Sequence, residues 1–140
     1  MIKIAVINLQ KKALVDQQKI KKLIRKVLNK ERPGIEGEIT LSLVSDPLIR
    51  KLNMLYLKKN LPTDVLAFNS TERFNKNKFY ADIIVSSDTA AFNAKVFRSS
   101  LPYELNLYIV HGLLHLLGYN HNCAKRRKVM LKKELEYVHT

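Results

Sequence analysis

The sequence contains little cysteine, few acidic residues and no long apolar run. A single cysteine among 140 residues cannot form an internal disulfide, which fits the reducing cytoplasm or an organelle matrix. No stretch of eighteen uncharged apolar residues occurs, so we expect no membrane span. The first ten residues also lack the layout of a cleavable signal, because their apolar stretch is short and alternates with polar residues.

The scarcity of acidic residues leaves the chain strongly basic. Twelve Asp and Glu stand against 25 Lys and Arg, which gives a formal net charge of +13 at pH 7. Such an excess favours an anionic partner, and nucleic acid is the usual one. The charge alone leaves a second interpretation open, in which the lysines only solvate the surface.

The order of apolar patterns predicts one α+β domain over residues 1–140. With 46% hydrophobic residues, a chain of this length suits a single core. Strands are expected at 1–10, 38–44, 65–68 and 81–87, with a polar loop at 69–79. Helices are expected at 16–30, 45–60, 88–97, 101–118 and 123–138. The predicted fold is therefore one mixed sheet of about four strands packed with helices.

Local signals predict the ends and buried faces of these helices. Asp16 and Asp46 are expected as N-caps, Asp88 as the start of the third helix, and Gly118 as a left-handed end of the fourth. The core faces of the second and last helices are expected to consist of Leu48, Leu52, Leu55 and Tyr56, and of Met130, Leu131, Leu135 and Val138.

Residues 111–121 read HGLLHLLGYNH, and the histidines in this segment have the spacing of a zinc site. On a helix, His111 and His115 are four residues apart and therefore share one face. Gly118 allows the chain to leave the helix sharply, so that His121 can return as a third ligand. Three neutral imidazoles leave a position open for water, which is typical of a catalytic zinc site.

One residue of this segment argues against a zinc protease. Zinc proteases with this histidine spacing place a glutamate directly after the first histidine, where it acts as the general base. Here that position is Gly112. RNA carries its own nucleophile, the 2′-hydroxyl, and so needs less help from a protein base than a peptide does. The missing glutamate therefore favours RNA over peptide as the substrate.

Several residues near the histidines are candidates for secondary roles. Cys123 is expected to be a small packing residue, with ligation of a soft metal as the alternative. Glu104, seven residues before His111, either orients a ligand or stabilises the first helical turn. The run KRRK at 125–128 either forms a solvated face or steers phosphates, and His139 is expected to be solvated.

Three blocks in this order resemble the YbeY family of bacterial-type endoribonucleases. LNMLYLKKNLPTDVLAF at 52–68 is similar to the family's LNxxYRxxxxPTDVLSF, ADIIVSSDTA at 81–90 to its GDIxIS strand, and HGLLHLLGYNH to its HGxLHLxGYDH. Met130 and Glu134 also fall where the family places a methionine and a glutamate in its last helix. The chain departs from the pattern at three positions, where the family has arginine, glycine and aspartate and this sequence has Leu57, Ala81 and Asn120.

The resemblance implies a zinc-dependent, single-strand-specific endoribonuclease that matures the 3′ end of small-subunit rRNA and takes part in ribosome quality control. It implies one Zn²⁺ held by His111, His115 and His121 in a cleft beside the sheet. Single-stranded RNA, rRNA and the small ribosomal subunit are the implied partners, with no membrane association. Two alternatives are a non-catalytic, zinc-stabilised RNA- or ribosome-binding factor and, less favoured, a zinc protease.

Basic residues are expected to offset the charge of the substrate phosphate. Because Leu57 stands where the family has arginine, we expect Lys58 and Lys59 to contact phosphate, although lysine lacks the planar fork of arginine. Arg126 and Arg127 are further candidates for this electrostatic role.

Overall fold

A computed structural model describes residues 2–61, 63–69 and 78–138, and within them it has one four-stranded sheet and five helices. The strands are β1 (Lys3–Asn8), β2 (Glu36–Val44), β3 (Val65–Asn69) and β4 (Lys78–Ser86). The helices are α1 (Gln17–Glu31), α2 (Asp46–Leu57), α3 (Ser87–Val96), α4 (Leu101–Leu116) and α5 (Ala124–Val138). The predicted α+β class and the predicted order of elements are therefore confirmed.

The sheet is mixed and has the strand order β1-β2-β4-β3. The pairs β1–β2 and β2–β4 are parallel, whereas β3 runs antiparallel to β4 and forms an edge. Alternate strand residues face opposite sides of a sheet. Accordingly, Ile83 belongs to the main core with α1, α4 and α5, while Ile84 packs against the smaller cluster formed with α2. Strand β3 is thus the edge along which helices from both sides of the sheet meet.

Helix α4 is the central helix of the main core. It is apolar around most of its circumference, as expected for a helix buried on several sides. Ile109, Val110, Leu113 and Leu114 are fully buried within the main core. Ser100 begins the helix, with its hydroxyl accepting from the Tyr103 amide at 3.2 Å. A helix held in this way is a rigid support for side chains near its C-terminal end.

The predicted core face of α2 is partly wrong. Leu55 and Tyr56 are 69% and 58% exposed, whereas Leu48 and Leu52 pack at the smaller cluster as expected. Ile49 and Asn53, four residues apart on one face, are the buried positions of α2, so the buried stripe is rotated away from Leu55 and Tyr56. The aromatic and aliphatic end of α2 therefore faces solvent.

The predicted cap of α2 is also wrong. Ser45 precedes the helix, and Asp46 is its first residue. The Asp46 carboxylate instead accepts from the hydroxyls of Ser86 and Thr89, so it fastens the start of α2 to the start of α3. Asp16, in contrast, caps α1 as predicted, accepting from the amides of Gln18 and Lys19 at 3.1 and 3.2 Å.

The predicted inner face of α5 is wrong at two leucines. Leu131 and Leu135 are exposed, while the buried positions are Met130, Glu134 and Tyr137. Met130 and Glu134 are four residues apart and Glu134 and Tyr137 are three apart, so the three side chains form one stripe along the helix. The apolar pattern of the sequence had instead favoured the neighbouring leucines. Val138 is partly buried, as predicted.

Two boundaries also differ from the sequence prediction. Helix α3 begins at Ser87 with the Ser86 hydroxyl as its cap, one residue before Asp88. The predicted loop at 69–79 is shorter, because Asn69 belongs to β3 and Lys78 and Phe79 belong to β4. Residues 70–77 of that loop lie outside the described residues, as does His139. Among the helices in the described segments, none is both long and apolar enough to cross a lipid bilayer.

Candidate metal centre

Helix α4 and the loop after it bring the three predicted histidines together. His111 and His115 lie on α4, and their ring centroids are 4.8 Å apart. The His121 ring lies 5.1 Å from that of His115 and 5.9 Å from that of His111. One nitrogen from each ring can be chosen so that all three lie within 4.8 Å of one another. The side chains expected to hold a metal thus form one cluster.

The turn at Gly118 returns His121 to the helix. Gly118 has φ of +103°, a left-handed conformation that side-chain-bearing residues rarely adopt. Its amide donates to the His115 carbonyl at 3.1 Å, and the next amide, of Tyr119, donates to Leu114 at 3.0 Å. These bonds satisfy carbonyls at the helix end, which is the usual function of a glycine there. The predicted left-handed end at Gly118 is confirmed.

A buried glutamate on α5 orients the first histidine. The Glu134 carboxylate, 8% exposed, contacts Nδ1 of His111. With Nδ1 engaged by a carboxylate, Nε2 of the same ring is left as the metal-binding nitrogen. Glu104, the other candidate for this role, accepts instead from the Ser99 hydroxyl at 3.1 Å in the first turn of α4. Of the two roles expected for Glu104, stabilising the start of the helix is therefore the one that agrees with the structure.

The surroundings of His115 favour its neutral form. Burial lowers the pKa of His115, and the positive charges that His111 and His121 would carry lower it further. His115 is therefore uncharged at neutral pH, which is the form that binds a metal. Three imidazole rings at this separation, one of them oriented by a carboxylate, fit a divalent ion that prefers imidazole ligands.

Cys123 does not have the packing role predicted for it. Its side chain is exposed, because the chain between His121 and α5 runs over the surface. Within the described residues, the group of side chains arranged to hold a metal consists of the three histidines without this thiol.

The histidine cluster borders a groove of about 510 Å³ along the β3 edge. His111 and His115 line the groove on the side of α4. Leu57, at the end of α2, also lines it. The remaining lining residues are Gly112, Leu116 and the segment 63–68. The metal centre therefore opens onto a groove rather than a closed cavity.

The predicted phosphate-binding residues occupy three different places. Arg127 lines a depression of about 260 Å³ together with His111 and His121. Arg126 lines a separate depression, of about 530 Å³, with Tyr119 and Asn120. Lys58 and Lys59 are exposed in the segment that follows α2, where Lys58 has φ of +56°. Arg127 is thus the cation that shares a surface depression with the histidines themselves.

Gly112 faces the sheet and not the metal centre. A Cβ atom at this position would lie 3.2 Å from Cγ2 of both Ile83 and Val65. Glycine therefore allows α4 to approach β3 and β4 closely. A Cβ atom at this position would point at the sheet, and the glutamate that supplies the base in zinc proteases is absent from this chain.

A partly buried carboxylate, which the sequence did not indicate, holds the loop before His121. Glu31, at the end of α1, accepts from the Tyr119 hydroxyl of that loop. It also accepts from Tyr137 and, at 3.3 Å, from the Lys133 ammonium, both on α5. These three donors come from segments distant in sequence, so no local pattern could have revealed them. The Glu31 cluster joins α1, α5 and the histidine loop.

The hydrogen bonds within the Glu31 cluster shift the pKa values of Glu31 and Tyr119 in opposite directions. Burial alone would raise the pKa of Glu31, but the bonds from Tyr119, Tyr137 and Lys133 outweigh it and lower the pKa below its usual value of 4.5. The same bond to Glu31, followed by burial, raises the pKa of Tyr119 to about 12. The carboxylate is therefore charged, and the phenol keeps its proton to donate, at neutral pH.

We expect Gly112→Glu to destabilise the protein by about 1–3 kcal/mol, because its Cβ atom would be packed too tightly against Ile83 and Val65. The free energy of unfolding in urea measures the loss. Asn106→Glu, on a half-buried position of the same helix, is the control and should cost much less. Equal losses in the two variants would contradict the orientation assigned to residue 112.

We expect Glu31→Gln to lower stability by about 1–3 kcal/mol at pH 7, because it removes a charged hydrogen-bond acceptor. A carboxylate with a lowered pKa stabilises the fold above its unfolded pKa, and this contribution is lost as the pH falls through the folded pKa. The difference from wild type should therefore be constant down to about pH 5.5 and shrink below 4.5, as measured by urea unfolding at several pH values. Glu136→Gln, which breaks an exposed pair with Lys30, should cost less. A Glu31→Gln loss that does not change with pH would contradict this account.

Comparison with known proteins agrees with this architecture. Residues 5–140 match the model of the family described as endoribonuclease YbeY. The endoribonuclease YbeY of Syntrophus aciditrophicus (strain SB) is 39% identical over 140 residues, which cover 95% of this chain and 86% of that protein. That of Pelotomaculum thermopropionicum is 37% identical over 143 residues, covering 96% and 94%. A Thermotoga maritima protein solved in solution matches with a TM-score of 0.66 at 29% identity, over 99% of this chain and 87% of that one. The chain therefore belongs to the endoribonuclease YbeY family.

Proposed function

We propose that this protein is a zinc-dependent, single-strand-specific endoribonuclease that processes the 3′ end of small-subunit rRNA and serves in ribosome quality control. The observation that carries the proposal is the three-histidine cluster opening onto a groove, in a chain of the endoribonuclease YbeY family. Residues 1–140 would act as one YbeY-like domain in the cytoplasm or an organelle matrix. Its partners would be single-stranded RNA, rRNA and the small ribosomal subunit.

The class of enzyme follows from the family. The relatives are named endoribonucleases, so the chain is a nuclease that acts on phosphodiester bonds in RNA. Its net charge of +13 suits a polyanionic substrate. The rRNA substrate and the ribosomal setting are finer proposals, which rest on the three sequence blocks that resemble the family.

We assign the metal to His111, His115 and His121, with Zn²⁺ as the ion because three imidazoles suit it. A bound zinc ion supplies Lewis-acid chemistry, by lowering the pKa of water to about 7 or by polarising a phosphoryl oxygen. The chain's own contribution is to orient these ligands. Glu134 holds His111 through Nδ1, and Gly118 sets the return of His121.

Basic side chains would offset the phosphate charge. Lys58 and Lys59 extend from the end of α2 beside Leu57, which lines the groove. Arg127 lies at the depression shared with His111 and His121. These cations stabilise negative charge that develops at the phosphate and transfer no proton. Because Leu57 replaces the family's arginine with an apolar side chain, the lysines and Arg127 are the cations proposed for this role.

Leu57 also gives some support to a second function. A protein without the family's arginine could bind RNA or the ribosome through its basic surface and use zinc only for stability. The open arrangement of three ligands on a groove favours the catalytic function over this one. A protease function is disfavoured by Gly112, which stands where zinc proteases have their glutamate.

We expect His115→Ala to reduce RNA cleavage by more than about 100-fold, beyond the 10- to 100-fold seen when only a residue supporting a metal ligand is lost. The assay uses single-stranded rRNA fragments, with casein as the peptide substrate, each with and without a chelator. Chelator should abolish RNA cleavage, and casein should stay intact.

Cys123→Ala is the matched control, because this exposed side chain is close in sequence to His121 but outside the histidine cluster. It should retain wild-type cleavage. Cleavage at the wild-type rate by His115→Ala would refute the ligand assignment. Tight, salt-sensitive RNA binding by the wild type without turnover would support the binding factor instead.

A further inference from the structure

The exposed end of α2 has an aromatic side chain that the fold does not bury. Tyr56 is 58% exposed, and its ring centroid lies 4.9 Å from that of Phe68 on β3, at an interplanar angle of 48°. Tilted aromatic pairs at this distance attract each other. Phe68 therefore supports the Tyr56 ring from one side, while much of the tyrosine remains in contact with water.

This aromatic pair adjoins the groove of the metal centre. Phe68 and Leu57, the neighbours of Tyr56 in space and in sequence, both line the groove that His111 and His115 border. The groove follows the edge strand β3, with α4 on one side of the sheet and α2 on the other. A chain lying along that edge would meet the histidines and the aromatic pair in a single bound conformation.

We propose that Tyr56, supported by Phe68, stacks on an unpaired base of the RNA next to the phosphate held at the histidines. This inference rests on the proposed function, and it adds a base-binding subsite to it. Aromatic side chains bind single-stranded nucleic acid by stacking, which every base permits because each has a π-face. The subsite would therefore bind any base, and it would favour single-stranded over duplex RNA without favouring a particular sequence.

Charge around the aromatic pair favours RNA as the occupant. Lys58 and Lys59 are exposed in the segment directly after α2, two and three residues beyond Tyr56, and would contact phosphates next to a stacked base. An exposed ring flanked by cations is the combination that binds single strands, in which stacking and phosphate contacts act together. The other candidate occupant, an apolar peptide, would gain nothing from these lysines.

Stacking at Tyr56 would explain a preference for single strands. A base in a duplex is covered on both faces by its neighbours and is held by its pairing partner, so presenting its face to a protein requires unstacking. An unpaired base needs no such disruption. The subsite would therefore discriminate against duplex RNA by geometry, without reading sequence.

Three variants separate stacking from packing. Tyr56→Phe keeps the aromatic face, and Tyr56→Leu keeps an apolar contact with Phe68 but loses that face. Phe92→Leu is the control, since Phe92 is another exposed aromatic, on α3 and outside the residues that line the groove. Binding of a single-stranded oligoribonucleotide to the zinc-loaded protein is measured by fluorescence anisotropy. The same RNA is also used with an abasic nucleotide at each position in turn.

We expect Tyr56→Leu to raise Kd roughly 5- to 150-fold, the effect of losing about 1–3 kcal/mol of stacking. Tyr56→Phe and Phe92→Leu should bind as the wild type does. At one abasic position, wild type and Tyr56→Leu should bind equally weakly, because the base that stacks on Tyr56 is absent. The circular dichroism melts of all variants should agree with that of the wild type.

Unchanged binding by Tyr56→Leu would overturn the proposal, and so would a loss of affinity that persists at every abasic position. A drop in melting temperature that accounts for the weaker binding would show a packing role and also overturn it. Failure of the proposed function has a different signature. A wild-type protein that binds RNA through Tyr56 but never cuts it would leave the subsite standing and refute the nuclease.

Discussion

The close contact between helix α4 and the sheet at Gly112 is the constraint on which the site depends. A Cβ atom there would lie 3.2 Å from two core methyl groups, so any side chain at this position would force those groups or the helix to shift. Successive residues on a helix are rotated by about 100°. With Gly112 facing the sheet, His111 and His115 project to one flank, about 100° and 60° from the direction of the sheet. That flank is the groove along β3. The depth of α4 against the sheet and its rotation about its own axis therefore determine the positions of both His111 and His115.

Two carboxylates, the buried Glu134 and the partly buried Glu31, support the histidines from outside α4. Glu134 extends from α5 to His111, and Glu31 extends from α1 to Tyr119 in the loop that carries His121. Helix α5 takes part in both contacts, because Tyr137 and Lys133 also donate to Glu31. The ligand cluster is thus supported from three helices, which limits the freedom of both the rings and the loop. Such support from outside the ligand set is typical of metal sites that must hold a fixed geometry.

Sequence reasoning succeeded where the pattern was local and failed where it was not. The order of elements and the grouping of the histidines follow from apolar periodicity, from the four-residue helical spacing and from Gly118, all read within short windows. The exposed Leu131 and Leu135 show the opposite case, because the helix buries the polar Glu134 to reach His111. Glu31 could not be found, since its three donors lie about 90 to 105 residues away in sequence. Function here draws on buried polar groups, which hydrophobic patterns assign to the surface.

The central claim is that the three histidines hold one metal ion at an open site. Titrating Co²⁺ into metal-free protein, with its visible absorption spectrum and native mass spectrometry as readouts, tests this most directly. The account predicts one ion per chain, the spectrum of a four-coordinate nitrogen site with one exchangeable position, and loss of both signals in His121→Ala. Absence of binding, or a thiolate charge-transfer band that disappears in Cys123→Ala, would contradict it.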